Sequence, residues 1–322
     1  MTDDTWQNLR TRRKTAVNFR VLALLAVAWT TTPALGQAVS EADLQKRANA
    51  ILTLMGFALT PDVTTGSLSL TDQPAGNPYF RQTSISGGGT LKPMPLYLEG
   101  TLGYGRYDPS FAASDDPNAP RIAVKWNSLL GTAGVGWDFP VAPNLALRPI
   151  LNFSLGRVES EGSTGAQPAP ASRSAVEFLG NGRLNAYGLG GSLVLDYERY
   201  RPENEIDVEL RYSNIYLQSF DSSQAVKGHA DAQTFSLWSR YRAPTGMVAL
   251  DRPVRYVLEY AHTRFLGDLD GALGFHYVNS FGAGLELDSS ARDVYLTRSR
   301  LMLRYKVGNN VSGWAIGLGV SF

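Results

Sequence analysis

A group of candidate binding residues, which we call the basic track, lies near the C-terminus and consists of Arg298, Arg300, Arg304 and Lys306. In an extended strand successive side chains point to opposite faces, so these four side chains share one face. A face of this kind can bind or pass small anionic solutes, as rings of charged side chains select ions in pores. The neighbouring final segment offers only Ala, Gly and Ser on the same side, which leaves room for long side chains.

Acidic residues with the same predicted orientation occur along other segments: Glu99, Asp196, Glu198, Asp207, Glu209, Glu259 and Glu286. They make a second interpretation possible, in which basic and acidic side chains form an internal network of salt bridges that fills and stiffens a narrow interior. The sequence holds 30 basic and 29 acidic residues, with a formal net charge of +1. This near-balance favours the network over the anion path.

The three histidines are the remaining candidates for acid–base chemistry. His229 is near Asp231, and such a pair could activate water in a hydrolase. His262 has no paired carboxylate evident, and His276 is predicted to face inward. The sequence contains no Gly-x-Ser-x-Gly, HExxH, phosphate loop or complete Gly-x-Gly-x-x-Gly. We therefore predict no enzyme activity and assign no catalytic residue.

Composition restricts the other classes of function. With no cysteine and three histidines, neither a disulfide scaffold nor a transition-metal site is expected. The balanced charge gives no electrostatic basis for nucleic-acid binding. No cofactor is predicted.

The elements that must position these side chains are strands with period-two alternation. The last segment shows the pattern in full: Trp314, Ile316, Leu318, Val320 and Phe322 oppose Ala315, Gly317, Gly319 and Ser321. A segment near residue 280 is interpreted in the same way, with Phe275 and Tyr277 on the apolar face. No run of 18 apolar residues occurs after residue 40. Apolar side chains facing lipid and polar side chains facing a lumen are typical of transmembrane barrels.

The alternation repeats about twelve times, which predicts an all-β, closed antiparallel transmembrane β-barrel. The intervening connections are long on one side and short on the other, as in outer-membrane barrels. The mostly long connections, expected to be extracellular, are 72–78, 107–120, 158–182, 219–232, 264–271 and 308–311. The mostly short connections are 91–94, 140–144, 200–204, 243–252 and 288–292. Aromatic residues occur near both predicted ends of the strands, as expected of an interfacial girdle.

A short helix is predicted before the first strand. Ser40 and Asp43 resemble a capping box, and apolar residues recur at helical spacing in Leu44, Ala48, Ile51, Leu52 and Met55. Its apolar stripe would suit a helix that lies at the periplasmic membrane interface.

The N-terminal segment has the layout of a cleaved secretory signal. Basic residues precede the apolar stretch Val21 to Trp29, and small residues follow around Ala34, Gly36 and Ala38. We predict a signal peptide at 1–36, a helical segment at 37–60 and a barrel at 61–322.

The signal, the alternating strands and the apolar last strand ending in Phe322 resemble Gram-negative outer-membrane barrels. About twelve strands preceded by a short helix look most like the translocator domain of autotransporters, in particular the solitary barrels that lack a passenger. This resemblance implies an outer-membrane location and lipid contact. It also implies recognition of the C-terminal strand, with Phe322, by the barrel-assembly machinery, and a helix in the pore.

Overall fold

A computed structural model describes residues 41–59, 66–70, 79–91, 93–108, 110–112, 121–162, 183–220, 228–289, 297–309 and 311–321. Within them lies one helix, α1 (Glu41–Leu59). The strands are β1 (Gly66–Leu70), β2 (Tyr79–Leu91), β3 (Leu96–Asp108), β4 (Ser110–Ala112), β5 (Arg121–Trp137), β6 (Phe139–Ala142), β7 (Leu145–Gly162), β8 (Arg183–Tyr200), β9 (Glu205–Phe220), β10 (His229–Ala249), β11 (Arg252–Gly267), β12 (Tyr277–Asp288), β13 (Arg298–Gly308) and β14 (Val311–Ser321).

Twelve of the described strands form one antiparallel sheet in chain order, with the two shortest, β4 and β6, attached to β5 and β7. The first and last strands, β1 and β14, also contact each other, which brings the two edges of the sheet together. The predicted all-β fold of about twelve antiparallel strands with a short N-terminal helix is confirmed.

The two ends of the sheet differ in how the strands are connected. We call the end at which β3, β7 and β9 end, and which carries 268–276, the loop end, and the end that carries 93–95, 143–144, 201–204 and 250–251 the short-turn end. Leu250 and Asp251 have φ values of 51° and 57°, which fits the two-residue hairpin turn between β10 and β11. The predicted connection at 243–252 is therefore too long, because β10 continues to Ala249 past a bulge after Pro244.

The segment before β12 also differs from the prediction. β12 begins at Tyr277, and residues 268–276 form turns in which Gly271 and Gly274 have positive φ. These turns break the alternation, so Phe275 is fully buried and the His276 side chain is 46% exposed. The inward prediction for His276 and the outward prediction for Phe275 are both wrong.

Buried and exposed side chains alternate along the strands, but the buried face is polar and the exposed face is apolar, which is the reverse of a soluble protein. In β9 the acidic Asp207 and Glu209 are buried, while Leu210 and Tyr212 on the other face are exposed. Large exposed side chains cover the outer face of many strands, among them Leu151, Leu189, Leu258, Leu285 and Leu303. The interior of the sheet is consequently where charged residues collect.

Candidate functional site

The interior at the loop end is an apolar chamber occupied by α1. The helix buries Ala48, Ile51, Leu52, Met55 and Phe57. The strands and the 268–276 turn supply the surrounding wall, which consists of Leu130, Val158, Leu184, Ala186, Ile215, Leu217, Ala230, Ala232, Phe265, Leu269, Phe275, Val278 and Val311. An apolar stripe that would suit a polar lumen poorly thus meets an apolar wall. The helix therefore packs on the inner face of the sheet, with contacts to β3, β5, β9 and β10.

Small residues allow α1 to approach the wall closely. A Cβ on Gly228 would lie 2.8 Å from the Cβ of Ala48, and a Cβ on Gly56 would lie 3.0 Å from the Cβ of Ala232. At the helix's C-terminal end, the ring of Phe57 is 4.8 Å from that of Phe265.

The contacts also define the direction of α1. Ala48 lies beside Gly228 at the loop end of β10, whereas Gly56 lies beside Ala232, further along the strand toward the interior. The His229 backbone N–H donates a hydrogen bond to the Asn49 Oδ1 at 2.9 Å. The N-terminal end of the helix therefore points toward the loop end.

Below the chamber, small polar side chains from several strands bond to one another. The hydroxyls of Thr132 and Ser154 are 2.9 Å apart. Ser192 donates to the Asn152 Oδ1 at 2.8 Å, and the Asn152 Nδ2 donates to the Glu99 Oε1 at 2.7 Å. This layer separates the apolar chamber from the charged residues.

The interior toward the short-turn end contains two groups of ion pairs. The first, which we call the basic wall, comprises Arg240, Arg242, Arg255, Arg298, Arg300, Arg304 and Lys306 with Glu205, Asp207, Glu259, Glu286 and Asp288. Glu286 is 0% exposed and lies 3.4 Å from Arg242, 3.8 Å from Arg298 and 3.6 Å from Arg300. A carboxylate shared in this way ties β10, β12 and β13 together.

The predicted basic track belongs to this wall. Arg298 Nη1 is 2.6 Å from Glu205 Oε2, and Arg304 Nη2 is 2.7 Å from Glu259 Oε2. Lys306 is buried. The residues of β14 that pair with Arg300, Arg304 and Lys306 have small or no side chains; they are Gly319, Ala315 and Gly313.

The second group, the acidic wall, comprises Glu99, Asp138, Asp196, Glu198 and Glu209 with Arg148 and Arg211. Arg148 Nη2 is 2.8 Å from Asp196 Oδ2, and its Nε donates to Asp138. Arg211 pairs with Glu99 and is 3.6 Å from Glu209. The sequence-predicted acids are therefore divided between two walls.

A cavity of about 1220 Å³, the short-turn vestibule, lies against the acidic wall. Its lining includes Glu99, Asp138, Arg148, Asp196 and Glu198. None of the four residues of the basic track is among the lining residues. Phe322, the predicted assembly signal, lies outside the described residues.

Several functional candidates were not singled out from the sequence. Arg148, Arg211 and Arg242 are each buried with acidic partners. Their strand parity identifies them, because each shares a face with inward residues of its strand, as Arg211 does with Glu209. The acids were selected by that criterion and these arginines were not.

The histidines lie apart from both walls. His229 stacks on Tyr216 with ring centroids 5.9 Å apart, and His262 Nδ1 is 2.9 Å from Asn279 Oδ1. His276 Nδ1 is 2.6 Å from Asp270 Oδ1, so the close His–Asp pair differs from the one predicted around His229 and Asp231.

No group of three or more His, Asp or Glu residues in the described part of the chain is arranged to hold a metal ion. No helix there combines the length and hydropathy needed to cross a membrane.

The architecture defines a class: an antiparallel barrel-type sheet with a helix in its interior. The chain is similar in fold to autotransporter translocator domains. The transport unit of AIDA-I from Escherichia coli is 10% identical, with a TM-score of 0.48 over 85% of this chain and 98% of that one. The translocator domain of NalP from Neisseria meningitidis is 14% identical, with a TM-score of 0.43 over 87% and 96%. The β domain of the Bordetella autotransporter BrkA is 16% identical, with a TM-score of 0.43 over 80% and 97%. No family model and no curated protein sequence matches the chain.

Proposed function

We propose that the protein is a non-enzymatic outer-membrane β-barrel of the autotransporter-translocator type, in which α1 plugs the lumen. The observation that carries the proposal is the burial of Ala48, Leu52 and Met55 at 0–1% exposure inside the sheet. Membrane-spanning barrels satisfy their backbone groups by strand pairing, and they direct apolar side chains outward. The exposed Leu151, at 70%, is one of many outward residues that suit hydrocarbon.

A belt of aromatic and amide side chains near the loop end supports the membrane placement. Tyrosine hydroxyls donate to outward amide oxygens at 3.0 Å in Tyr104–Asn127, 2.7 Å in Tyr187–Gln218 and 3.1 Å in Tyr260–Asn279. Tyrosine prefers the headgroup level, where its ring is apolar and its hydroxyl is hydrated. The belt would mark the level at which hydrocarbon ends on the loop side.

The direction of α1 suggests how the chain threads the barrel. If the loop end is extracellular, the N-terminal end of α1 points toward the cell exterior and its C-terminal end toward the interior of the barrel. Residues 37–60 would then form the plug segment and 61–322 the barrel, after removal of a signal at 1–36.

Surface labelling of single cysteines tests this orientation, because the chain contains no cysteine. We expect Glu41→Cys, at the first residue of α1, to react in intact cells with a membrane-impermeant maleimide. Glu203→Cys, on the exposed turn 201–204, is the matched control and should react only after the outer membrane is permeabilised. The reverse pattern of labelling would contradict the proposal.

Assembly of the barrel through its last strand is a separate part of the proposal. A terminal aromatic belongs to the signal that the barrel-assembly machinery reads in barrels that this chain resembles. We expect removal of Phe322 to reduce the amount of heat-modifiable barrel in outer-membrane fractions. Unchanged levels in this truncation would argue against that partner.

A channel for small solutes is a second candidate function, and the vestibule of about 1220 Å³ favours it. The basic track, Arg298, Arg300, Arg304 and Lys306, is the basis for expecting an anionic solute. Planar-bilayer recording tests this: stable conductance steps with an anion preference that Arg300→Glu reduces would support it. Cation-preferring or unselective steps would exclude an anion channel.

An outer-membrane hydrolase is a third candidate, for which the exposed pair of His276 and Asp270 is the only described His–Asp contact. His229→Ala and His276→Ala together test it. We expect no loss of any hydrolysis measured with the purified protein, and a loss would identify the barrel as an enzyme.

A further inference from the structure

We infer that the short-turn vestibule attracts cations and repels anions, so that cations are the solute class this barrel favours. The inference deepens the proposed function and rests on it, because it concerns the part of the lumen that α1 leaves empty. It differs from the expectation drawn from the basic track.

The first step is the charge of the lining. The lining holds four carboxyl groups, those of Glu99, Asp138, Asp196 and Glu198, and one guanidinium, that of Arg148, which is a formal surplus of three negative charges. Including Arg211, which is paired with Glu99, and its other partner Glu209 adds one charge of each sign and leaves the surplus unchanged.

The second step is how these charges are compensated. Arg148 is shared between Asp138 and Asp196, so one cation serves two anions. Glu198 is exposed at the vestibule rather than held in a described ion pair. Carboxylates of this kind give a cleft a negative potential that its low-dielectric walls concentrate.

The third step concerns the cationic side of the lumen. Seven basic and five acidic groups make up the basic wall, and none of the seven lines the vestibule. Arg298, Arg300 and Arg304 each have a carboxylate within 4 Å. The basic wall keeps a formal surplus of two positive charges, but its arginines are paired with carboxylates that do not line the vestibule. The acidic wall, which does line it, therefore determines the sign of the potential there.

Reaction rates of a single cysteine measure this potential directly and do not require the barrel to conduct. Ala146 lines the vestibule, and Ala249 is exposed at the same end without lining it. Ala146→Cys and Ala249→Cys, each in the full chain, are reacted with cationic and anionic methanethiosulfonate reagents of similar size.

We expect the ratio of cationic to anionic rate to be about tenfold higher at Ala146→Cys than at Ala249→Cys, since clefts of one sign carry potentials of several kT. Adding Glu198→Gln should lower the ratio about two- to threefold. Glu159→Gln, which removes an exposed carboxylate at the loop end, should leave it unchanged.

An equal or inverted ratio at Ala146→Cys, or no response to Glu198→Gln, would overturn the inference. The labelling of Glu41→Cys is independent of these rates. Failure of the proposed orientation and failure of the proposed cation preference are therefore distinguishable.

Discussion

The two ends of the interior are held together by different forces. At the loop end, α1 is packed against an apolar wall, and the Asn49 Oδ1 accepts a hydrogen bond from the His229 backbone N–H. Toward the short-turn end, directed ion pairs join strands far apart in sequence, as Glu205 and Arg298 do at 2.6 Å. Burial of apolar area is non-directional, whereas an ion pair in a low dielectric depends on exact geometry.

This difference suggests separate roles for the two ends. Apolar packing can hold a segment such as α1 as a unit, because the helix's own backbone hydrogen bonds stay intact if it leaves. The basic wall differs, because removing one charged side chain from it leaves the partners of that side chain buried and unpaired. We therefore expect the position of α1 to depend on its apolar side chains and the stability of the basic wall to depend on its charged ones.

The largest expected effect comes from a charge placed in the apolar chamber. Leu52 is 0% exposed on α1, and Leu52→Asp would bury a carboxylate with no described cationic partner in the chamber. We expect α1 to leave the chamber, with a loss of about 4 kcal/mol or more in the free energy of unfolding. Urea titration in lipid vesicles measures the loss, and protease cleavage within α1 reports the displacement.

Ala50→Asp is the matched control, because Ala50 is exposed on the same helix. It should change the unfolding free energy by less than about 0.5 kcal/mol. If both variants behaved alike, burial of the apolar stripe would not be what holds the helix.

The next effect concerns the basic wall. Glu286→Gln removes the negative charge shared by Arg242, Arg298 and Arg300, and we expect a loss of about 3 kcal/mol in the unfolding free energy. Because the chamber is not involved, protease resistance of α1 in the folded protein should be retained.

Glu159→Gln removes a carboxylate from an exposed pair with Arg157, and an exposed pair contributes about 0–1 kcal/mol. A loss for Glu286→Gln as small as this control would mean that the buried network contributes little to stability.

Most of the fold was predictable, because alternation in a strand is a property of the local sequence. Leu210 and Glu209 belong to opposite faces whatever the rest of the chain does. The exceptions are places where glycine or a bulge breaks the period, as at Gly271 and Gly274 before β12 and beyond Pro244 in β10.

The site was less predictable, since parity assigns a face but not a partner. Strand parity places Arg300 beside the small residues of the last strand, but its proximity to Glu286 depends on the register between β12 and β13. The apolar wall around α1 was missed for a related reason. Leu184, Ile215 and Leu217 face inward from different strands. That they lie at the same level along the strands, and so form one apolar wall, is known only from the strand register.

A smaller effect is expected from crowding the contact between α1 and β10. Gly228→Ala would bring a methyl group within 2.8 Å of the Ala48 Cβ and 3.0 Å of the Ala48 backbone carbonyl carbon. Because a backbone atom cannot move aside alone, α1 must shift, and we expect a loss of about 2 kcal/mol in the unfolding free energy.

Gly89→Ala is the control for this substitution, since a Cβ at Gly89 would meet nothing within 4 Å. Its effect should be below about 0.5 kcal/mol. Equal losses in the two variants would indicate that the measurement reports glycine's backbone preference and not the packing of α1 against β10.

The smallest effect is expected for the directed contact between α1 and β10. Asn49→Ala removes the acceptor of the His229 N–H, and because this contact is exposed, water can replace the amide oxygen. We expect a loss of about 0.5–1 kcal/mol in the unfolding free energy, with α1 remaining protease-resistant. A loss as large as that of Leu52→Asp would reverse the comparison, because one hydrogen bond rather than apolar burial would then hold the plug.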